Sequence, residues 1–265
     1  MQLWASEILY LGRYSLDTRF AFFSGTADMN KVGLATMSGV VSDAQTRFVK
    51  QYLDRGVSSG DVSGMMLQVY ERHDDNAALF EREFGKGRAK VACKQGCSFC
   101  CGQRVSATAP EVFAAVFYAR LAMDSDELDR FRVKAGETAE RAALQGAAET
   151  FAERIPCVFL EDGECSVYSY RPIACRSETS LNVKLCEKGF GDLTVKVTKP
   201  ENAIVKAVAV GYIGALGNSI KAKRLDGRWY ELNTAVAEAL ADPDCENRWL
   251  DGGKAFNRAV YLPEI

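Results

Sequence analysis

A cluster of cysteines in the middle of the chain constrains this sequence more than any other feature. The nonapeptide CKQGCSFCC alone holds four of the nine, which are Cys93, Cys97, Cys100 and Cys101. Four more follow at wider intervals, namely Cys157, Cys165, Cys175 and Cys186. Thiols at this density bind a metal, form disulfides or carry redox chemistry. Any fold that uses them together must bring several separate segments to one place.

Composition decides among these chemistries only in part. With 265 residues the chain can bury a core without disulfides, and its net charge of −2 gives no indication of a nucleic-acid partner. The N-terminus does not show the pattern of a secretory signal. The longest apolar stretch, residues 203–216, is interrupted by Lys206 and too short to cross a bilayer, so we predict a buried helix and no membrane partner. We therefore expect a cytoplasmic protein, in which clustered cysteines bind metals more often than they form disulfides.

Most of the chain has helical signals. Ser42, with Gln45 three residues later, fits a capping box that opens a helix, and further helical patterns cover residues 61–73 and 77–84. Thr108 and Glu111 flank Pro110 in a second capping box. Additional helices are predicted over residues 125–154, 200–219 and 231–241, together with a short one after Pro172 that carries Cys175.

One short region favours strands instead. The segment CVFLEDGECSVY reads as two strands joined at Asp162-Gly163, a dipeptide that tight hairpin turns prefer. This hairpin folds Cys157 back towards Cys165. The predicted fold class is mostly α with a small β-hairpin (α+β), a helical domain organised around a cysteine-ligated metal centre.

The predicted domain organisation has three parts. Residues 1–36 are rich in aromatics without a sustained period, and our hypothesis is a poorly ordered N-terminal extension, the alternative being an ordinary terminal arm. Residues 37–190 form the cysteine-cluster domain. Residues 191–265 form a helical segment that packs on the same domain, and Gly211, Gly214 and Gly217 allow close helix contact there.

The cysteines suit two kinds of metal centre. A structural zinc takes four soft ligands in a tetrahedron, and an iron–sulfur cluster also takes four thiolates, so eight cysteines could fill two sites. The side chains of Cys100 and Cys101 point in divergent directions, so one of them belongs to a second site, bridges two metals or stays free. Gly96 and Gly102 let the backbone turn tightly beside these thiols. Cys245 lies in an acidic setting and is predicted to be uninvolved.

The two cysteine segments together resemble a known family. CKQGCSFCC followed by CVFLEDGECSVYSYRPIACR is similar to the YkgJ-type cysteine-cluster family, a zinc- or iron-chelating domain with the pattern C-x3-C-x2-C-C and then C-x-[IV]-Y-x-x-R-P-x-x-C-R. Val158 departs from that pattern, because the family usually has Pro there. The resemblance implies metal binding by Cys93, Cys97, Cys100, Cys101, Cys157, Cys165 and Cys175, and Cys186 lies outside its best-matched part.

Two arginines accompany the second cysteine segment. We predict that Arg171 and Arg176 neutralise thiolate charge and donate hydrogen bonds to sulfur, the alternative being ordinary surface salt bridges. His73, the single histidine, is interpreted as a solvated or capping residue at the end of a helix, although a site of three cysteines and this histidine stays open.

Two other functions compete with simple metal binding. Cys93, Cys97 and Cys100 match the spacing of radical SAM enzymes, but such enzymes need a barrel of parallel strands, and the residues after the motif are helical. A metal chaperone or redox sensor would instead use the adjacent Cys100-Cys101 pair. No general acid/base pair is recognisable, so the sequence leaves enzymatic activity, substrate and protein partner undetermined.

Overall fold

Helices dominate the structure, a computed structural model that describes residues 29–58, 60–144, 154–191 and 199–259. The described helices are α1 (Met29–Asp54), α2 (Asp61–Phe84), α3 (Ala109–Ala122), α4 (Ser125–Leu144), α5 (Ile173–Ser177), α6 (Val183–Gly191), α7 (Ala203–Ala222), α8 (Leu232–Ala241) and α9 (Cys245–Leu250). Four short strands form two antiparallel pairs: β1 (Ser106–Thr108) with β4 (Trp229–Glu231), and β2 (Leu160–Glu161) with β3 (Glu164–Cys165). The predicted fold class, mostly α with a small β part, is confirmed.

The first helix begins earlier than predicted. Helix α1 starts at Met29, and Ser42 lies within it rather than at its N-terminus. The reason is a buried stripe that already recurs every fourth residue from Met37 onward, at Met37, Val41, Gln45, Val49 and Leu53. The chain divides into the units Met1–Thr36 and Met37–Ile265, and residues 1–28 of the predicted extension lie outside the described part. That extension therefore stays a prediction.

Helix α2 lies at the centre of the packing. It is one continuous helix where the sequence predicted two pieces, and it buries Met65, Met66 and Val69. It packs against α3 on one side and α7 on the other, while α8 packs against α3 and α4. The helix that begins at Ser125 is described as far as Leu144, so the rest of the predicted span to residue 154 lies largely outside the described residues.

Helix α7 approaches α1 closely through small residues. A Cβ on Gly211 would lie 2.6 Å from the carbonyl oxygen of Ser38 and 3.0 Å from the Val41 side chain. Gly214 faces the Ser42 hydroxyl, whereas a Cβ on Gly217 would meet nothing within 4 Å. The predicted close contact is therefore made by Gly211 and Gly214 but not by Gly217.

Helix α7 contains the apolar stretch of residues 203–216. Helix α7 extends to Ala222, so by length and composition this described helix could cross a membrane, and the expectation that the stretch is too short was wrong. However, 61% of the apolar window is buried inside the protein, as in the core helix of a soluble domain. Its N-terminus is capped by Asn202, whose side-chain oxygen accepts from the backbone N–H groups of Ile204 and Val205.

The β1–β4 pair was not predicted. Three residues on each strand pair in register, Ser106 with Glu231, Ala107 with Tyr230 and Thr108 with Trp229. Such short strands leave little periodicity in the sequence, and their partners are far apart along the chain. Each strand runs directly into a helix, β1 into α3 and β4 into α8, so the pair fixes the starts of two helices side by side.

We predict that replacing Gly211 with Ala lowers the free energy of unfolding by about 1–3 kcal/mol, because the new methyl group meets backbone that cannot rotate away. The matched control is Gly217→Ala on the same helix, which has open space and should be neutral or stabilising by up to about 1 kcal/mol. Chemical denaturation of both variants measures the difference. Equal effects of the two substitutions would contradict the close contact of α7 with α1.

Candidate metal centre

The first cysteine segment is a loop that ends in one 3-10 turn. Cys97 N donates to Lys94 O at 3.1 Å, and Cys101 N donates to Ser98 O at 2.9 Å, which closes the turn Phe99–Gly102. Gly96 has a φ of +83°, the left-handed region that its position before Cys97 was predicted to need. Gly102 has no such φ. Its small size matters instead because a Cβ there would lie 3.2 Å from the side chain of Arg154.

The predicted hairpin carries the next two cysteines. Asp162 and Gly163 have φ values of 48° and 83°, the two positive angles of a type I′ turn, and Leu160 pairs with Cys165 across the strands. Ser166 N also donates to Phe159 O at 2.9 Å. The strands are only two residues long, so the hairpin depends on these turn bonds and on its neighbours.

A backbone hydrogen bond joins the hairpin to the first cysteine segment. Cys157 N donates to Cys101 O at 2.6 Å. On the other side, Val158 N donates to the side-chain oxygen of Asn233, near the start of α8, at 2.9 Å. The start of the hairpin is therefore held between the 3-10 turn and a core helix, and Cys157 cannot move independently of Cys101.

A buried carboxylate positions Cys175. Glu111 closes the predicted capping box, because its Oε2 accepts from Thr108 N at 2.7 Å and from the Thr108 hydroxyl at 2.8 Å. Its other oxygen, Oε1, accepts from Ile173 N at 2.8 Å. Ile173 is the first residue of α5, the helix that carries Cys175. One side chain thus fixes the start of α3 and the start of the Cys175 helix.

Cys186, the last cysteine of the predicted set, is carried by α6, which contacts the first cysteine segment. Cys93 Sγ accepts from Ser180 N at 3.2 Å, and Ala92 N donates to Ser180 O at 2.8 Å. Ser180 stands shortly before α6, which carries the buried Cys186 and packs against the 3-10 turn. Arg154 strengthens this contact by donating to Gly189 O at 2.6 Å.

Charge interactions show which thiols are neighbours. Besides burial, the pKa of Cys93 is raised by the nearby Cys97, Cys100 and Cys186. The pKa of Cys175 is likewise raised by burial and by the nearby Cys157, Cys100 and Cys165. Burial raises the pKa of Cys157 to about 12, and burial also raises the pKa of Cys93, Cys165 and Cys175. A hydrogen bond with Cys101, followed by burial, raises the pKa of Cys100. These thiols are therefore protonated at neutral pH without a metal, and metal binding must release their protons.

The donor set fits a thiolate-bound metal in its chemistry. Seven of the eight predicted thiols are half-buried and one, Cys186, is buried, so they are shielded but reachable. Within the described residues no group of three or more His, Cys, Asp or Glu side chains is already arranged around one point. The backbone bonds described above hold the cysteine segments to one another.

The two predicted arginines have different surroundings. Arg171 stacks over the Tyr168 ring at 3.8 Å, and its buried Nε has no acceptor among the described residues. Burial raises the pKa of Cys165 and Cys175, and the positive charge of Arg171 partly offsets this rise. An unsatisfied donor beside two thiols suits a hydrogen bond to a metal-bound sulfur. Arg176 instead donates to Asp74, to Ser169 O and to Arg171 O. These contacts with oxygen attach the Cys175 helix to α2 and give no support to the predicted bond to sulfur.

His73 was misjudged. It lies in the middle of α2 and is 1% exposed, neither solvated nor capping, because α2 continues for more than two turns beyond it. Its Nδ1 lies 3.0 Å from Asp74 Oδ1, its ring packs edge-on against Tyr212, and its buried Nε2 has no partner in the described part of the chain. Burial lowers the pKa of His73. For Asp74, burial raises the pKa, but hydrogen bonds from His73 and Arg176 outweigh it and bring it to about 2.

A cleft of about 410 Å³ borders the hairpin on the side of α3 and α4. Its walls include Met123, Phe131, Lys134 and Ser166, the residue after Cys165. Lys134 spans the cleft by donating to Leu160 O at 2.8 Å. Nothing in the sequence marks this cleft, because its walls come from three elements without a shared motif.

Sequence reasoning missed the residues that position the thiols. Glu111 was recognised only as half of a capping box, and its second oxygen serves a residue 62 positions away. Asn233 and Ser180 lie outside any cysteine pattern, so nothing local marks them. Cys245, predicted to be uninvolved, is 4% exposed, and its charge neighbours are Asp242, Arg248, Arg120 and Glu246 rather than cysteines.

Comparison with known proteins agrees with this placement. Residues 92–199 match the CxxCxxCC family model, described as "Putative zinc- or iron-chelating domain". The matched region contains all eight clustered cysteines and excludes Cys245. The chain matches no curated protein and no solved structure at a significant level. Residues 92–199 are therefore similar to the CxxCxxCC family of zinc- or iron-chelating domains.

We predict that Glu111→Gln lowers the free energy of unfolding by about 1–3 kcal/mol, because an amide offers one acceptor where three donors now converge. Hydrogen exchange at the Ile173 amide should also become faster. Glu127→Gln is the matched control, since Glu127 accepts from Asp124 N in an exposed helix cap and should cost no more than about 0.5 kcal/mol. An unchanged exchange rate at Ile173 would refute the anchoring role of Glu111.

A second prediction concerns pH. The folded state lowers the pKa of His73 below its ordinary 6.5, so the associated stability is complete above pH 6.5 and is lost as the pH falls towards the folded pKa. We expect the melting temperature of the protein to decrease between pH 7.5 and 5.5. His73 is the single histidine, so His73→Gln should remove most of this dependence. A variant that retains the full dependence would show that another group titrates there.

Proposed function

We propose that this chain is a cytoplasmic metal-binding protein that holds zinc or an iron–sulfur cluster through the thiolates of its cysteine cluster. The observation that carries the proposal is the convergence of the cysteine segments. The loop and turn of residues 93–102 are joined to the hairpin by a backbone hydrogen bond and to α6 by packing, and the Glu111 carboxylate fixes the start of α5. Separate segments that place thiols together, with little regular structure between them, are typical of sites organised by a metal.

The residues of the proposed site have three roles: sulfur ligands, a positive charge beside them, and supports for the backbone. A bound metal or cluster would supply positive charge that stabilises the cysteines as thiolates, whereas without it they are protonated thiols. The cysteines donate sulfur and lose their protons, while Arg171 offers positive charge and a free N–H to the sulfurs nearest to it. Glu111, Asn233 and Ser180 hold the backbone from which the thiols project.

A second candidate function is metal transfer or redox sensing. The observation in its favour is the adjacent pair Cys100-Cys101, whose thiols are hydrogen-bonded to each other and half-exposed. Such a pair is accessible to an acceptor or an oxidant without unfolding. Rapid loss of metal to a weak chelator, with the fold retained, would favour this function over a purely structural site. A radical SAM enzyme is disfavoured, because the residues described after the motif form helices and antiparallel strands of two or three residues.

The deciding experiment is metal and acid-labile sulfide analysis, with an absorption spectrum, on protein purified without oxygen. We expect either colourless protein with bound zinc or brown protein with stoichiometric sulfide. Protein that carries neither, and takes up neither on reconstitution under reducing conditions, would overturn the proposed function.

A variant pair tests whether the cysteine cluster is the site. Cys157→Ser should reduce the bound metal by at least half, because it removes a thiol held against Cys101 by the backbone. Cys245→Ser should leave the metal content unchanged, since Cys245 is buried away from the other thiols. Elemental analysis of both proteins after gel filtration makes the comparison. Full metal content in Cys157→Ser would place the site elsewhere.

A further inference from the structure

We propose that the eight cysteines form two neighbouring four-thiolate sites that meet at the adjacent pair Cys100-Cys101. The first site takes Cys93, Cys97 and Cys186, the second takes Cys157, Cys165 and Cys175, and the pair gives one thiolate to each. This division rests on the proposed function and goes beyond it, because the family match names a chelating domain without a number of sites or an assignment of ligands.

The first group is held together by the contact of residues 92–102 with α6. Ser180 bonds both to Cys93 Sγ and to the backbone of Ala92, which ties the start of the loop to the residues just before α6. Helix α6 then packs Cys186 against the 3-10 turn. Cys93, Cys97 and Cys186 are accordingly neighbours, and each comes from this side of the turn.

The second group is held together by the hairpin and α5. The pairing of Leu160 with Cys165 returns the chain towards Cys157. Glu111 fixes the start of α5 through Ile173, and Cys175 on this helix lies near Cys157 and Cys165. The cysteine neighbours of Cys175 and those of Cys93 form two sets that share one member, Cys100. Cys100 therefore lies near both groups, whereas Cys97 and Cys186 accompany Cys93, and Cys157 and Cys165 accompany Cys175.

The pair Cys100-Cys101 connects the two groups. Both residues lie in one 3-10 turn and their thiols are hydrogen-bonded to each other, so one thiol can serve each of two sites that meet at this pair. Cys101 O accepts from Cys157 N, which fixes the distance between the turn and the second group. Three thiols on each side and one from the pair make four per site, the number that zinc and iron–sulfur centres both take.

Charge gives a reason for the position of Arg171. A zinc ion with four thiolates carries a net charge of about −2, so two such sites side by side repel each other. Arg171 acts on both Cys165 and Cys175, and its buried Nε has no acceptor within the described ranges. A guanidinium at this position partly neutralises the second site and reduces the repulsion.

Zinc stoichiometry of the full chain under reducing conditions tests the division. Native mass spectrometry should count two zinc ions on the wild type, one on Cys186→Ser, one on Cys175→Ser and none on the double variant. Cys245→Ser is the matched control for Cys186→Ser, because both thiols are buried on helices, at 4% and 8% exposure. The control should retain two zinc ions.

A titration of the wild type with cobalt(II) provides a second measurement that does not depend on the folding of any variant. Thiolate-to-cobalt absorption should rise to an end point of two equivalents, and each single variant should give about half of it. An end point of one equivalent, abolished by either Cys186→Ser or Cys175→Ser, would overturn the two-site division while leaving metal binding intact. No binding of zinc, cobalt or a reconstituted cluster by the wild type would overturn the proposed function as well.

Discussion

The carboxylate of Glu111 is the interaction on which the cysteine region depends most. It is 1% exposed, and its burial raises its pKa, so placing it in the core is unfavourable unless its oxygens are satisfied. Three donors satisfy them, and these donors come from two separate parts of the chain, Thr108 and Ile173. The carboxylate therefore joins the strand–helix corner of β1 and α3 to the helix that carries Cys175.

The β4–α8 corner repeats this arrangement in outline. Glu231 caps α8 by accepting from Asn233 N and from Thr234 N, and Asn233 in turn receives Val158 N beside Cys157. Because β1 and β4 are paired, the two corners lie next to each other, and each provides a side-chain oxygen to a cysteine-bearing segment. The short β1–β4 ladder thus sets the distance between the Cys157 and Cys175 segments, although it contains no cysteine itself.

The sequence predicted the parts of the structure whose causes are local. The Thr108 capping box, the Asp162-Gly163 turn and the left-handed Gly96 all follow from rules that involve a few consecutive residues. The start of α1 was mispredicted because a capping signal at Ser42 competes with a buried stripe that begins earlier. His73, Arg176 and the β1–β4 pair could not be predicted, since their environment is created by residues far away in the chain. The spacing of the cysteines predicted the thiol cluster, but no pattern in the sequence marked Glu111, Asn233 and Ser180 as the residues that hold its segments.

The contrast between the helical core and the cysteine segments shows where the metal acts. Trp249, Tyr212 and Tyr230 are fully buried, so the helical core has its own hydrophobic stabilisation. The cysteine segments have strands of two residues, two 3-10 turns and half-buried thiols. Hydrogen bonds at Glu111, Asn233 and Ser180, together with packing of α5 against α7, hold them in place. A bound metal would therefore stabilise the cysteine segments on a core that is already folded, and its loss would loosen these segments before the helices.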